Sequence, residues 1–397
     1  MNDPVNHQVR QWIKDNSRPL DDLSALPGII GDAAIVGIGE TTRAAHEIDH
    51  HRLRMFQVMV EELGFRALAI KDGEIIGERL DDLVRGGGED PAEALGEAWP
   101  PWRTEETVAA LEWIRAYNRE HPGDPVRIFG TDPAGAQPFQ YDAVIDFVRR
   151  TAPQRLDEIK AHLAPPRSAH RVDEHIQRFR GVHPGKPFAE NARDAHALIA
   201  SLPEDPEREH VLRYAQIIWD HHASSVAAGM DFGVWMRRAA DTILRRHRDT
   251  GAKIAYWDGI AITANADAMA VAIGTGQRFT TVGGHLREQL GDGYLSMMIG
   301  FGQGRIHAGV DVPAPPSDYV ETDLATGEDF YLDLRSPAPD AVAAWLHGSH
   351  KIRLIPGVYD PAEDEQHHVV TPSLAEWFDV IAHVPRISPT ALLESAG

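Results

Sequence analysis

Short, unbroken apolar runs separated by helical periodicity restrict what this chain can fold into more than any other feature. "AAIVGIG" (33–39), "RALAI" (66–70), "VRIFGTD" (126–132), "KIAYWD" (253–258), "RFTTV" (278–282) and "GYLSMMIGF" (293–301) have the length and composition of strands. Several do not alternate apolar with polar residues. A strand can dispense with a polar face only when both faces are covered, as in a parallel sheet carrying helices above and below. The segments between them supply helices: "HRLRMFQVMVEELGF" (51–65), "ERLDDLVRGG" (78–87) and "TEETVAALEWIRAYNRE" (104–120), the last with Thr104 placed as its cap. This succession predicts an α/β fold, a layered and mostly parallel central sheet flanked by helices and joined by crossovers.

From about residue 138 to 250 the strand signals stop, and patterns such as "RLDEIKAHL", "NARDAHALIASL" and "REHVLRYAQIIWDHHASSVAAG" predict a large helical insertion. The whole chain, 1–397, then reads as one domain, its α/β core formed by residues 25–137 and 251–397. Residues 302–340 are rich in Pro, Gly and Asp and read as loops, with a hairpin at "FYLDLR". A formal charge of −21 repels phosphate backbones and anionic lipid, so neither nucleic acid nor a membrane is expected as a partner. Cysteine is absent, which removes disulfides, thiol nucleophiles and Cys-ligated metals. The opening "MNDPVNHQVRQWIKDNSRPL" lacks the pattern of a secretory signal, and a cytoplasmic location is expected.

His46-Glu47-Ile48-Asp49-His50 matches the H-E-x-x-H pattern of zinc proteases. The helical wheel opposes that reading. Ala45, Ile48, Arg52, Met55, Phe56, Met59 and Leu63 fall on one stripe, so His46 and His50 project from the other side with Glu47 and Asp49. No metal and no cofactor is expected; His46 remains a candidate cleft residue because it stands near the first turn. Arg52 sits in the middle of the apolar stripe. A guanidinium cannot shed its charge on burial and needs a carboxylate or an anionic ligand. Glu40, at the end of the first strand, is the nearest candidate, and the pair is either a structural ion pair or part of a catalytic site.

The stretches "IVGIGETTRAAHE", "HRLRMFQVMVEELGFRALAI", "LDDLVRGG", "WPPWRTEETVAALEWIRAYN", "VRIFGTD", "VGGHLREQLGDGYLSMMIGFGQG" and "HKIRLIPGVYDP" resemble, in order, the erythromycin esterase-like family. The resemblance implies an α/β core with helical decoration and a cleft over the strand ends, in which glutamates and histidines surround one water and open lactones. This chain departs from that pattern. Gly39 and Glu40 keep the start of a Gly-Glu-x-x-His motif, but Arg43 stands where the histidine belongs. Lys71 stands where a glutamate is expected, and a Trp-Ala-His-Asn-x-His motif appears as Trp257-Asp258-Gly259-Ile260-Ala261-Ile262. The resemblance thus leaves Glu40 and Arg52 in place and adds Arg43, Lys71 and Asp258, a cleft whose local charge is expected to be positive.

Candidate catalytic residues are therefore Glu40, Lys71, Asp258 and His46, and candidate substrate-binding residues are Arg43, Arg52, Glu74, Asp132, Tyr256, Trp257 and His285. Fixed cations can hold an anion or stabilise an enolate while a carboxylate moves a proton; Lys71 can also serve as a base or form an imine if desolvated. Glu74 reads equally as an exposed helix start, Asp132 as a turn cap, His285 as a helix-start residue, and one of Tyr256 and Trp257 as core. Expected functions are acid–base chemistry on a bulky, oxygen-rich natural product, neutral or anionic, such as a polyketide intermediate, esterase activity using His46 or His285, or ligand sequestration without turnover. The partner in each case is a small molecule.

Overall fold

The structure, a computed structural model, describes residues 4–43, 45–88, 90–132, 136–168, 186–227, 232–270, 278–306, 309–355 and 359–393. The chain divides into two compact units, residues 1–131 with 236–397, and residues 132–235. Strands among the described residues are β1 (Arg18–Pro19), β2 (Ile35–Glu40), β3 (Phe65–Gly73), β4 (Arg127–Asp132), β5 (Lys253–Gly259), β6 (Met269–Ala270), β7 (Arg278–Phe279), β8 (Tyr294–Ile306), β9 (Val310–Val312), β10 (Phe330–Asp333), β11 (His350–Arg353), β12 (His368–Thr371) and β13 (Val380–Ile387).

The first unit is built on a nine-stranded sheet in the order β1-β10-β13-β8-β2-β5-β3-β4, with β9 paired to β8 off that path. β13, β8, β2, β5 and β3 run parallel, and β10 and β1 add an antiparallel edge. All six residues of β2 are buried, as its unbroken apolar run requires. Alternation sorts the side chains by face: Val36, Ile38, Ala255, Trp257, Leu295 and Met297 share one apolar core with Ile48, Met55, Phe56 and Met59 of the His46–Leu63 helix. Gly37, Gly39, Tyr256 and Asp258 therefore belong to the opposite face. From β2 the chain passes through the His46–Leu63 helix toward β3, while β8 continues on the other side toward β13. Such a divergence opens a crevice at the carboxyl ends of the strands, where Glu40 and Asp258 stand.

Two sequence expectations are corrected. Among the described residues "RFTTV" does not enter the central sheet, and β7 pairs there with β6. Thr281 instead caps the Val282–Leu290 helix through the Gly284 amide, a use of the hydroxyl that competes with strand continuation. "FYLDLR" is not a hairpin, because β10 pairs with β13 and β1 and ends where the Asp333 carboxylate accepts the Arg335 amide. The expected cap at Thr104 is present on the Glu105–Glu120 helix. No helix among the described residues is long and apolar enough to cross a membrane.

Apart from Asp132, which ends β4, the described regular structure of the second unit is helical, including Pro138–Thr151, Leu156–Ser168, Phe188–Ala200 and Arg208–Ala227. These pack around Tyr141, Val144, Val148, Ile159, Leu163, Leu198 and Ile218. Part of the expected insertion, residues 169–185 and 228–231, lies outside the described residues. His222 is buried there, its Nε2 2.6 Å from the Tyr141 hydroxyl.

Gly39 is required by close approach: a Cβ there would stand 2.2 Å from Thr263 Oγ1 and 3.0 Å from Ile260 Cα. Gly39→Ala is expected to lower stability by about 1–3 kcal/mol through overpacking, read as a fall in the urea midpoint at constant slope.

Candidate functional site

β2 ends on Glu40, and the chain turns through buried Thr41 and Thr42 before Arg43. Glu40 is 1% exposed and Asp258, at the end of the adjacent β5, is 0% exposed. Arg43 reaches both: its Nε lies 2.9 Å from Glu40 Oε1 and its Nη2 donates to Asp258 Oδ1 at 2.5 Å. Because Glu40 and Asp258 stand on opposite faces of the sheet, this guanidinium closes the strand ends across them. Burial works against the Arg43 charge, and the two carboxylates more than offset it, raising its pKa. Asp258 also accepts from the Tyr256 hydroxyl at 2.8 Å and from the Gly259 amide at 2.7 Å.

Arg52 supplies the second guanidinium. It is 4% exposed, donates from Nη1 to Glu40 Oε2 at 2.7 Å, and donates from Nη2 to Asp49. Its Cζ lies 4.6 Å from the Trp257 ring centroid and 5.3 Å from that of Trp102. Trp99 gathers two more cations, with Arg43 Cζ at 4.7 Å and Lys71 Nζ at 4.6 Å from its ring centroid. Asp72 holds that indole in place by accepting the Trp99 amide at 2.8 Å, and burial pushes the Asp72 carboxyl pKa up.

Hydrogen bonding inside the cluster is incomplete. The Arg43–Glu40 contact is short but poorly aimed, so neither Arg43 Nε nor Glu40 Oε1 has a hydrogen-bond partner among the described residues. Arg52 Nε and Trp257 Nε1 are likewise buried with unused capacity. Native interiors rarely leave such groups unpartnered, which makes this cluster a candidate site.

The other sequence candidates fall as follows. His46 is half exposed and its Nδ1 is 2.7 Å from Glu106 Oε1. Glu47, which a zinc protease would aim at a metal-bound water, instead accepts from the amide and hydroxyl of Ser388 at 2.7 and 2.6 Å. Glu106 accepts from the Ala391 amide, so the segment around 388–392 lies against the starts of both helices. Among the described residues no group of three or more His, Asp or Glu side chains is placed to hold a metal ion. Tyr256 and Trp257 are both buried, on opposite faces, the first against Asp258 and the second against Arg52. Glu74 is exposed at the start of the Glu74–Val84 helix, and Asp132 is half-buried at the end of β4. His285 is buried; burial lowers its pKa, and the charges acting on it are Arg237, Glu288 and Asp241 rather than members of the Glu40 cluster.

The expectation of a positive cleft is corrected. Glu40, Asp49, Asp72 and Asp258 are four carboxylates among four cations, Arg43, Arg52, Lys71 and Arg103, the last acting on the Asp72 charge. The helical wheel puts Asp49 on the polar face, but its side chain is only 10% exposed and turns to Arg52 one helical turn on. That spacing of three residues was the signal in the sequence. Trp99 and Trp102 carry none beyond their family stretch, and Asp72, which lies outside every such stretch, carries none at all, because their roles arise from tertiary contacts.

The family profile described as erythromycin esterase matches residues 60–387, a span that begins beyond Glu40, Arg43 and Arg52. A putative hydrolase of Bacillus subtilis, YbfO, is 29% identical over 133 residues, 30% of this chain and 28% of that protein. An Escherichia coli protein, erythromycin esterase type II, is 28% identical over 123 residues, 28% of this chain and 29% of its own length. Both matches thus span under a third of the relative. Among solved structures, a succinoglycan biosynthesis protein superposes with a TM-score of 0.74 at 20% identity, covering 99% of this chain and 100% of that one. A Bacillus cereus protein gives 0.72 at 20% identity over 98% and 99%, and a mutant erythromycin esterase in its open conformation gives 0.65 at 17% over 96% and 99%. These likenesses establish the fold.

Asp49 provides a test of the cluster. Desolvation lifts its pKa to about 6, partly opposed by Arg52 and reinforced by Glu40 and Glu106. A carboxyl with a raised folded pKa stabilises the fold below its unfolded pKa, and that contribution is lost as pH rises through the folded value. Relative to Asp49→Asn, the wild type is expected to lose on the order of 2–3 kcal/mol between about pH 4 and pH 6, measured by urea unfolding at each pH.

Proposed function

Because the chain belongs to the erythromycin esterase family, yet carries a guanidinium against Glu40 where the resemblance calls for an imidazole, we propose that it is an enzyme performing acid–base chemistry other than imidazole-driven hydrolysis. Its substrate is a bulky, oxygen-rich small molecule such as a polyketide intermediate, and its reaction a cyclisation, isomerisation or elimination, carried out in the cytoplasm. The observation that carries this reading is the buried Glu40 Oε1, 2.9 Å from Arg43 Nε and without a hydrogen bond among the described residues. An arginine has no lone pair with which to take a proton, so it cannot replace a histidine as base. A carboxylate oxygen with an unused acceptor direction can. In this reading Glu40 removes the proton, Arg43 and Lys71 stabilise the oxyanion that develops, and Asp258 with Tyr256 fixes Arg43 in place.

Ester hydrolysis is the second reading, favoured by one observation. His46 and Glu106 form a hydrogen-bonded imidazole–carboxylate pair in which the imidazole is half exposed, and both act on the Asp49 charge. His46 would then activate water in place of the missing histidine.

The two readings separate by mutation. Glu40→Gln is expected to lower turnover of a polyketide-type substrate by at least about 100-fold, followed by mass spectrometry, while His46→Ala leaves it within about threefold. Arg43→His returns an imidazole to Glu40 and is expected to raise hydrolysis of an aryl acetate at least about tenfold over wild type. Aryl ester hydrolysis by the wild type that disappears in His46→Ala supports the second reading instead.

A further inference from the structure

Gly259 follows Asp258 and caps the short Ile260–Thr263 helix with φ of −73° and ψ of 156°, extended backbone open to any residue. Conformation does not ask for glycine here. Space does: a Cβ on this residue would stand 3.1 Å from Arg43 Nη2 and 3.5 Å from both Cζ and Nη1, and outside its chain neighbours it would meet no atom sooner. The guanidinium rests on bare backbone. There the Gly259 amide, at 2.7 Å, and Arg43 Nη2, at 2.5 Å, donate to one oxygen, Asp258 Oδ1.

Retreat from that seat is costly. Arg43 Cζ lies 4.7 Å from the Trp99 ring centroid and Nε lies 2.9 Å from Glu40 Oε1, so a guanidinium pushed off Gly259 loosens its hold on buried carboxylates. A methyl group at 259 already presses on Nη2 more closely than side chains normally pack. Longer side chains add atoms beyond that point of contact, and the histidine that the resembled motif carries at this place is one of them. Arg43 and Gly259 therefore depart from the motif as one exchange, a long cation entering at the first position and a side chain leaving at the second.

We propose that Gly259 is the positioning residue for Arg43: the side chains at 43 and 259 compete for one space beside Asp258, and the guanidinium reaches both Glu40 and Asp258 because residue 259 leaves that space to it. This goes beyond the acid–base reading and holds whichever reaction the site performs. It also makes the pair, rather than Arg43 alone, the unit that decides whether this place carries a guanidinium or an imidazole.

The test is a double-mutant cycle on the full chain, with Arg43→Ala and Gly259→Ala made singly and together and each protein followed by urea unfolding. Comparison between backgrounds cancels what alanine does to the helix cap itself. Gly259→Ala is expected to raise the unfolding equilibrium constant at least about fivefold more when Arg43 is present than in Arg43→Ala. A spectroscopic readout separates positioning from general crowding, and it needs no change at Arg43. In Gly259→Ala the nitrogen-15-resolved Nε–H resonance of Arg43 should shift, while that of Arg52, which holds the other oxygen of Glu40, moves less. If Arg43→Ala fails to fold, this second measurement decides alone. An equal cost of Gly259→Ala in both backgrounds, or an Arg43 resonance that stays in place, overturns the proposal.

Discussion

One guanidinium holds this site together. Arg43 touches Glu40 on one face of the sheet and Asp258 on the other, at the point where neighbouring parallel strands end. Two buried carboxylates so close to each other would repel strongly without it, and removing one member of a buried ionic set typically leaves the rest uncompensated at a cost of about 3–5 kcal/mol. Arg52 extends the set to Asp49, and three tryptophans surround it, so the polar cluster has an apolar rim that raises the strength of every interaction inside.

Exchanging an imidazole for a guanidinium alters what such a place can do. Imidazole alternates between donor and acceptor near neutral pH, which suits it to generating hydroxide from water. Guanidinium only donates and is always charged. Such an exchange takes away a group that can accept a proton and leaves one that only donates, beside the Glu40 carboxylate. The likeness to esterases in fold and sequence is therefore compatible with a different reaction at the same strand ends.

Much of the architecture was legible because burial leaves its mark in composition. β2, β5 and β8 are covered on both faces and read as unbroken apolar runs, and Arg52 announced a buried partner by interrupting an apolar stripe. The misreadings share a cause. In "RFTTV" and "FYLDLR" a side chain that caps or turns the backbone, Thr281 or Asp333, outcompeted strand propensity. A helical wheel puts Asp49 on the polar face because it carries no information on what packs beside the helix. The charge balance of the site escapes the sequence for a related reason: the i,i+3 spacing of Asp49 and Arg52 allows their pairing without requiring it, and Asp72 acquires its role from a contact that spacing does not encode.

The position of β2 has a consequence for assembly. Ile35 pairs with Ile254 on one side and with Tyr294 on the other, so the strand carrying Glu40 finds both neighbours far down the chain. Until those segments arrive, β2 is an apolar ribbon with two unsatisfied edges, and closing such large loops is slow. The strand that carries the buried Glu40 thus depends for both of its edges on segments far down the chain, and its exposed edges invite aggregation until they are paired.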